Sequence, residues 1–162
     1  MERQVVGIFH NPWRSEYDPH RSVAELYRRA VWLKSNPRDE EYMKALFSER
    51  YPAGEFVNID RDADWQAHLA AAETVVLLYP DAIGLHFAPV ESAVLKGRKS
   101  EAVEVRVLNG RRRDFVWSSR VRRELRWRRL AERAMLGEAL MIVGFVVITP
   151  FFVAADFVRG RR

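Results

Sequence analysis

TVVLLY, from Thr74 to Tyr79, is apolar at every position after the first and is followed at once by Pro80. A strand wetted on one face alternates polar with apolar residues. A nearly continuous apolar run belongs to a strand covered on both faces, the condition of a parallel sheet in α/β proteins. Pro80 has no N–H to give to a ladder, so the strand stops there and the chain enters the loop PDAIGLHFA.

Upstream, Gln4 to His10 (QVVGIFH) and Glu55 to Ile59 (EFVNI) are further short apolar, β-branched runs and read as strands. Between them, Ser22 stands three residues before Glu25, the spacing of a capping box. Val23, Leu26, Tyr27, Ala30 and Val31 then recur at helical spacing and predict one inward helix face. Asn36-Pro37 predicts the start of a second helix, with Asp39, Glu40 and Glu41 complementing its dipole and Tyr42, Met43, Leu46 and Phe47 facing inward. Tyr51 to Gly54 ends it in a turn. A third helix carries Trp65 and Leu69 toward the core, and Pro89 opens a fourth that runs through Lys96. In the stretch Ala102 to Trp117, Asn109-Gly110 lies between two alternating runs and predicts a β-hairpin.

The order β-α-α-β-α-β-α-β-β predicts an α/β fold. The expectation is a small layered, Rossmann-like domain over residues 1–117, with a mostly parallel sheet and a terminal β-hairpin. Trp13, Trp32 and Trp65 read most simply as core or sheet-covering residues.

Charge divides the chain of 162 residues more sharply than its net +5 and mean hydropathy of −0.29 suggest. Through Ser100 there are 13 Lys and Arg against 15 Asp and Glu, and beyond it 14 against 7. There is no cysteine, which excludes disulfides, thiolate metal sites and cysteine nucleophiles. The opening MERQVVGIFHNPWR has an apolar run of only about six residues before a charged loop, too short for a secretory leader, so a cytosolic start is expected.

Residues 118–134 (SSRVRRELRWRRLAERA) predict a basic amphipathic helix. On a helical wheel Arg122, Arg126, Arg129 and Arg133 fall on one side, while Arg128 intrudes on the apolar side. Residues 135–158 (MLGEALMIVGFVVITPFFVAADFV) follow directly, uncharged from Ala139 to Ala155, and residues 159–162 form a basic tail. At about 1.5 Å per residue this stretch matches a hydrocarbon layer of about 30 Å and predicts a C-terminal membrane helix. Arg120, Arg122, Arg126, Arg129 and Arg133 are then expected at the membrane surface, against anionic lipid headgroups. The positive-inside rule places the α/β domain on the cytoplasmic side of the inner membrane. Pro150 leaves a re-entrant segment as the alternative topology.

Ligands of open α/β sheets bind beyond the carboxyl ends of the strands. That rule nominates His10, Asn11 and Arg14 after the first strand, Asp60 and Asp62 after the second, and Asp81, Gly84 and His86 after the third. No glycine-rich dinucleotide fingerprint, phosphate-binding lysine loop or serine elbow accompanies them. His10, Glu16, Asp18 and His20 match no common metal spacing, so no metal is expected, and no cofactor is named by the sequence. The turn reading of Asp81 to Gly84 stands beside the ligand reading.

The leading expectation is a membrane-anchored cytosolic α/β binding or accessory module, with lipids and a membrane protein as partners, assisting an envelope or lipid-linked pathway. An enzyme acting on a nucleotide-linked or lipid-phosphate substrate is the alternative. A nucleic-acid-binding protein using the arginine-rich segment is the third reading, disfavoured because those arginines abut an apolar run.

Overall fold

The computed structural model describes residues 4–11, 22–98, 100 and 102–160. Five strands form one sheet: β1 (Val5–Phe9), β2 (Glu55–Asn58), β3 (Thr74–Tyr79), β4 (Glu104–Asn109) and β5 (Asp114–Val116). Six helices accompany them: α1 (Val23–Lys34), α2 (Glu40–Arg50), α3 (Trp65–Ala71), α4 (Ala88–Gly97), α5 (Ser119–Arg133) and α6 (Leu136–Arg159).

The strand order is β2-β1-β3-β4-β5, parallel throughout except for the antiparallel β4–β5 pair. β2 is laid on one side of β1 and β3 on the other, so the winding direction reverses at β1. β3 is buried at every residue, as its unbroken apolar run requires. Its alternate side chains feed two cores. Val75, Leu77 and Tyr79 join Val6, Ile8, Val105 and Val107 with Leu69 of α3, Val90 and Val94 of α4, and Leu125 of α5. Val76 and Leu78 join Phe9 and Leu108 with Met43, Leu46 and Phe47 of α2. Each fully buried aliphatic or aromatic side chain contributes about 1.5–3 kcal/mol relative to exposure.

Three local expectations are corrected. α2 begins at Glu40, with Asp39 as its N-cap accepting from the Tyr42 N–H at 2.8 Å. Asn36-Pro37 instead closes α1: Asn36 has a left-handed φ of 52°, which Asn tolerates after a helix end, and Pro37 cannot prolong the helix. In α1 the Ser22–Glu25 capping box forms as expected, but the inward residues are Val31 and Trp32. Val23, Leu26 and Tyr27 face outward, because periodicity reports that a helix has an apolar stripe and not what covers it. The hairpin forms where expected with a wider turn, running from Gly110 to Arg113. Asn109 is buried at its mouth, and its side-chain oxygen accepts from the N–H groups of Arg111 and Arg113. Gly110 is required here, since a Cβ would lie 2.3 Å from the Pro80 carbonyl oxygen.

The chain divides into two compact units, Met1–Arg129 and Leu130–Arg162. Within the first, Val121, Leu125 and Arg129 form the inward line of α5. In the second, Met135 takes a left-handed φ of 49° just before α6. From Ala139 to Arg159, α6 is long and apolar enough to cross a membrane, and none of that span is buried. The helix runs unbroken through Pro150, with the Thr149 hydroxyl donating to the Phe145 carbonyl at 2.6 Å. The turn that a re-entrant segment needs at Pro150 is therefore absent.

Candidate functional site

β1, β2 and β3 deliver their carboxyl ends to one edge of the sheet, beside the point where the winding reverses. The ladder continues one step past β1, where the Ile59 N–H donates to the Phe9 carbonyl. This brings the residues after β1 beside those after β2. The Asn58 side-chain oxygen accepts from the Asp60 N–H at 2.9 Å and fixes the Asp60 backbone. The Asp60 carboxylate then spans the gap. One oxygen lies 2.6 Å from His10 Nδ1, and the other accepts from the Asn11 N–H at 2.7 Å.

An ionised carboxylate only accepts, so this contact assigns the proton to Nδ1 of His10 and leaves the lone pair of the neutral ring on Nε2. Among the described residues, Nε2 has no hydrogen-bond partner. The imidazole stands edge-on to Phe87, with ring centroids 6.0 Å apart, and Phe87 packs in turn on Tyr79 at 4.8 Å. Both members of the His10–Asp60 pair are about one-fifth exposed, enough for a ligand to reach. A histidine held this way suits proton transfer or ligation through Nε2.

The sequence-nominated residues separate into groups. His10, Asn11 and Asp60 come together directly. Arg14 lies outside the described residues, as do Trp13, Glu16, Asp18 and His20. Asp62 serves a different place: it accepts from the Asp64 N–H and pairs with His68 Nε2 at 3.0 Å, while His68 Nδ1 meets Glu55 at 2.9 Å. These side chains line an open groove of about 440 Å³ together with Lys44 and Arg61. His86 is half-buried, one residue before Phe87.

Asp81 and Gly84 shape the loop that follows β3. Asp81 is 2% exposed, and its carboxylate accepts from the N–H groups of Ile83, Gly84 and Leu85. Gly84 has a φ of 61°, and a Cβ there would meet the Tyr79 ring at 2.7 Å. The loop forms the turn that Asp and Gly favour. It also has a chemical consequence: the three consecutive amides that a phosphate nest would use are already occupied by a carboxylate.

Arg129 is corrected more strongly. Expected at the lipid surface, it is 6% exposed and reaches Tyr79 at the carboxyl end of β3. Its guanidinium forms a two-pronged contact with Glu91 of α4 and donates to the Tyr79 hydroxyl and the Ile83 carbonyl. Burial alone would push the Arg129 pKa down, but the hydrogen bonds it donates to Glu91, with the nearby charge, outweigh this and raise the value. For Tyr79, burial and the neighbouring carboxylate both raise the pKa well above 10.0, so the hydroxyl stays protonated and donates to Glu91 at 2.5 Å. Arg120, Arg122, Arg126 and Arg133 are exposed.

Reading the sequence missed this buried cluster and the roles of Asn58, His68 and Phe87. A signal for the cluster was present: Glu91 is the lone charge in the apolar stretch Phe87–Leu95, and Arg129 follows Val121 and Leu125 at four-residue spacing. Among the described residues, no group of three or more His, Asp or Glu side chains is arranged to hold a metal ion. Comparison with models of known protein families, with curated proteins and with solved structures finds no match to this chain.

Proposed function

We propose that this chain is a membrane-anchored α/β module whose Rossmann-like domain works at the cytoplasmic face of the inner membrane, binding a ligand or a membrane-protein partner at the crevice beside His10. One observation carries the anchoring. α6 leaves its apolar side chains uncovered along the whole 21-residue span, whereas an apolar helix belonging to a soluble core is buried. Anionic lipid is the natural partner for the exposed arginines of α5 that precede it, at about 1 kcal/mol for each residue near the surface.

Alkaline carbonate washing of membranes containing the full chain tests this reading. Retention in the pellet is expected. Complete release by salt alone would overturn the spanning helix and return the arginine-rich segment to nucleic acid.

The His10–Asp60 pair favours a second reading, an enzyme acting on a nucleotide-linked or lipid-phosphate substrate with His10 as acid–base. His10 is then expected to react with diethyl pyrocarbonate faster than His68, whose two ring nitrogens are both engaged by carboxylates. Asp60→Asn should slow that reaction by removing the group that fixes the tautomer. Equal rates at His10 and His68, unchanged in the variant, would remove the acid–base role.

A further inference from the structure

α5 is two-sided. Val121, Leu125 and Arg129 follow one another at four-residue spacing and join the α/β core. On the opposite side of the helix runs the line Arg120, Arg123, Trp127 and Leu130, at three- and four-residue spacing. Trp127 is 67% exposed and Leu130 53%, and both arginines are exposed. This outward line carries no acid. Glu124 pairs with Arg128 at 2.7 Å, and Glu132 stands seven residues after Leu125, in register with the inward side.

We propose that α5 lies in the headgroup layer of the bilayer that α6 enters, with Trp127 and Leu130 at the acyl boundary and Arg120 and Arg123 on lipid phosphates. The inference deepens the anchored-module reading and rests on α6 as a membrane span. Chain length selects the occupant. α5 ends at Arg133, α6 begins at Leu136 and the apolar span at Ala139, so twelve residues lead from Trp127 to the span. At about 1.5 Å per helical residue that path is about 18 Å, and docking of α5 becomes an intramolecular step at high effective concentration. Side-chain chemistry agrees. An indole, apolar with a single N–H, favours the membrane–water interface, and arginines without neighbouring acids favour anionic headgroups. A nucleic acid offers arginine and tryptophan similar contacts, but the chain itself brings only the bilayer within reach. α5 then meets lipid with its outward side while Leu125 and Arg129 hold the α/β core on its inward side.

The absence of cysteine makes the test direct, since any introduced thiol is unique. Full-length chains carrying a fluorophore at Ser119→Cys, Ala45→Cys or Ile148→Cys are reconstituted into vesicles with lipid-borne nitroxides at shallow or deep positions. Ser119 opens α5, Ala45 is an exposed position of α2 on the other face of the sheet, and Ile148 lies mid-span in α6. A helix standing off the surface would carry Ser119 about 30 Å from the span, beyond reach of the lipid. The expected result is loss of fluorescence at Ser119 with shallow nitroxide in phosphatidylglycerol vesicles, at Ile148 with deep nitroxide, and none at Ala45. Trp127→Ala should weaken the Ser119 quenching and Trp127→Tyr should keep it. If Ile148 is not quenched, the membrane reading fails and the α5 contact falls with it. If Ile148 is quenched while Ser119 keeps its intensity, only the α5 contact is overturned. Unchanged Ser119 quenching in Trp127→Ala overturns the insertion of the indole, and equal quenching in neutral phosphatidylcholine vesicles overturns the selection of anionic lipid. If Ser119 stays bright while the chain retains a single-stranded oligonucleotide that Trp127→Ala releases, the outward side belongs to nucleic acid instead.

Discussion

Arg129 and Asp114 show how much one charge depends on what surrounds it. Arg129 and Arg126 are three residues apart on the same helix, yet one is buried on Glu91 and the other is solvated. Nothing in residue type separates them; the four-residue line through Val121 and Leu125 does. Replacing Arg129 with Met leaves Glu91 in a buried site with the Tyr79 hydroxyl but no cation, and breaking a buried ion pair in this way costs about 3–5 kcal/mol. Denaturant unfolding of the detergent-solubilised protein is expected to show that loss. The double variant Arg129→Met with Glu91→Leu should recover part of it, because no buried charge is then unpaired. Asp114 on β5 supplies the pH dependence. Burial by itself would raise its pKa, but hydrogen bonds from Tyr51, Arg106 and Arg50 outweigh that and hold it below 3.8. A carboxyl whose folded value lies below its unfolded one stabilises the protein above the unfolded value and ceases to do so as pH falls through the folded one. Wild-type stability should therefore hold from neutrality down to the ordinary aspartate range and decline below it. Asp114→Asn should be less stable at neutral pH and flatter in acid, read as unfolding midpoints across that range.

Among the elements, the strands were legible and the ends of helices were not. Strands buried on both faces must be apolar without interruption, so TVVLLY and VVGIF declare themselves with no knowledge of their neighbours. Asn36-Pro37 is ambiguous by its nature: Asn serves both as an N-cap and as a left-handed residue after a helix, and only the Asp39 cap two residues later decides. The His10–Asp60 contact joins residues 50 positions apart through the parallel register of β1 and β2, which no local pattern contains. α5 is legible only in part for the same reason. Composition alone makes it a juxtamembrane segment, while its contacts make Leu125 and Arg129 part of the α/β core. This has a measurable consequence. A chain ending at Arg133 keeps the Glu91–Arg129 pair and should unfold cooperatively. One ending at Trp117 removes Leu125 from the core and leaves Glu91 without its cation, and should melt at a lower temperature or fail to accumulate in soluble form. Equal melting temperatures would show that α5 adds nothing to the core.

At the scale of the whole molecule, orientation follows from charges whose number the fold has changed. Seven arginines lie between Arg120 and Arg133, and three follow the apolar run, Arg159, Arg161 and Arg162. With Arg129 withdrawn into the core, six of the seven remain to bias insertion, so the asymmetry persists but is modest. The proposed topology keeps the α/β domain in the cytoplasm and carries Arg159 across the membrane. Alkaline phosphatase fused after Arg162 should then be active and a green fluorescent protein fused there dark, with the reverse for fusions before Met1. Changing Arg120, Arg122, Arg126 and Arg133 together to Gln leaves Arg123 and Arg128 against Arg159, Arg161 and Arg162, which removes the bias without touching Glu91 or the α/β core. It should produce a mixed population with both reporters partly active. The single change Arg129→Gln would instead alter stability and leave orientation as it was, since a guanidinium sealed against Glu91 presents no charge to the lipid surface. Unmixed topology in the fourfold variant would mean that α6 is oriented by the folded domain that precedes it and not by its flanking charge.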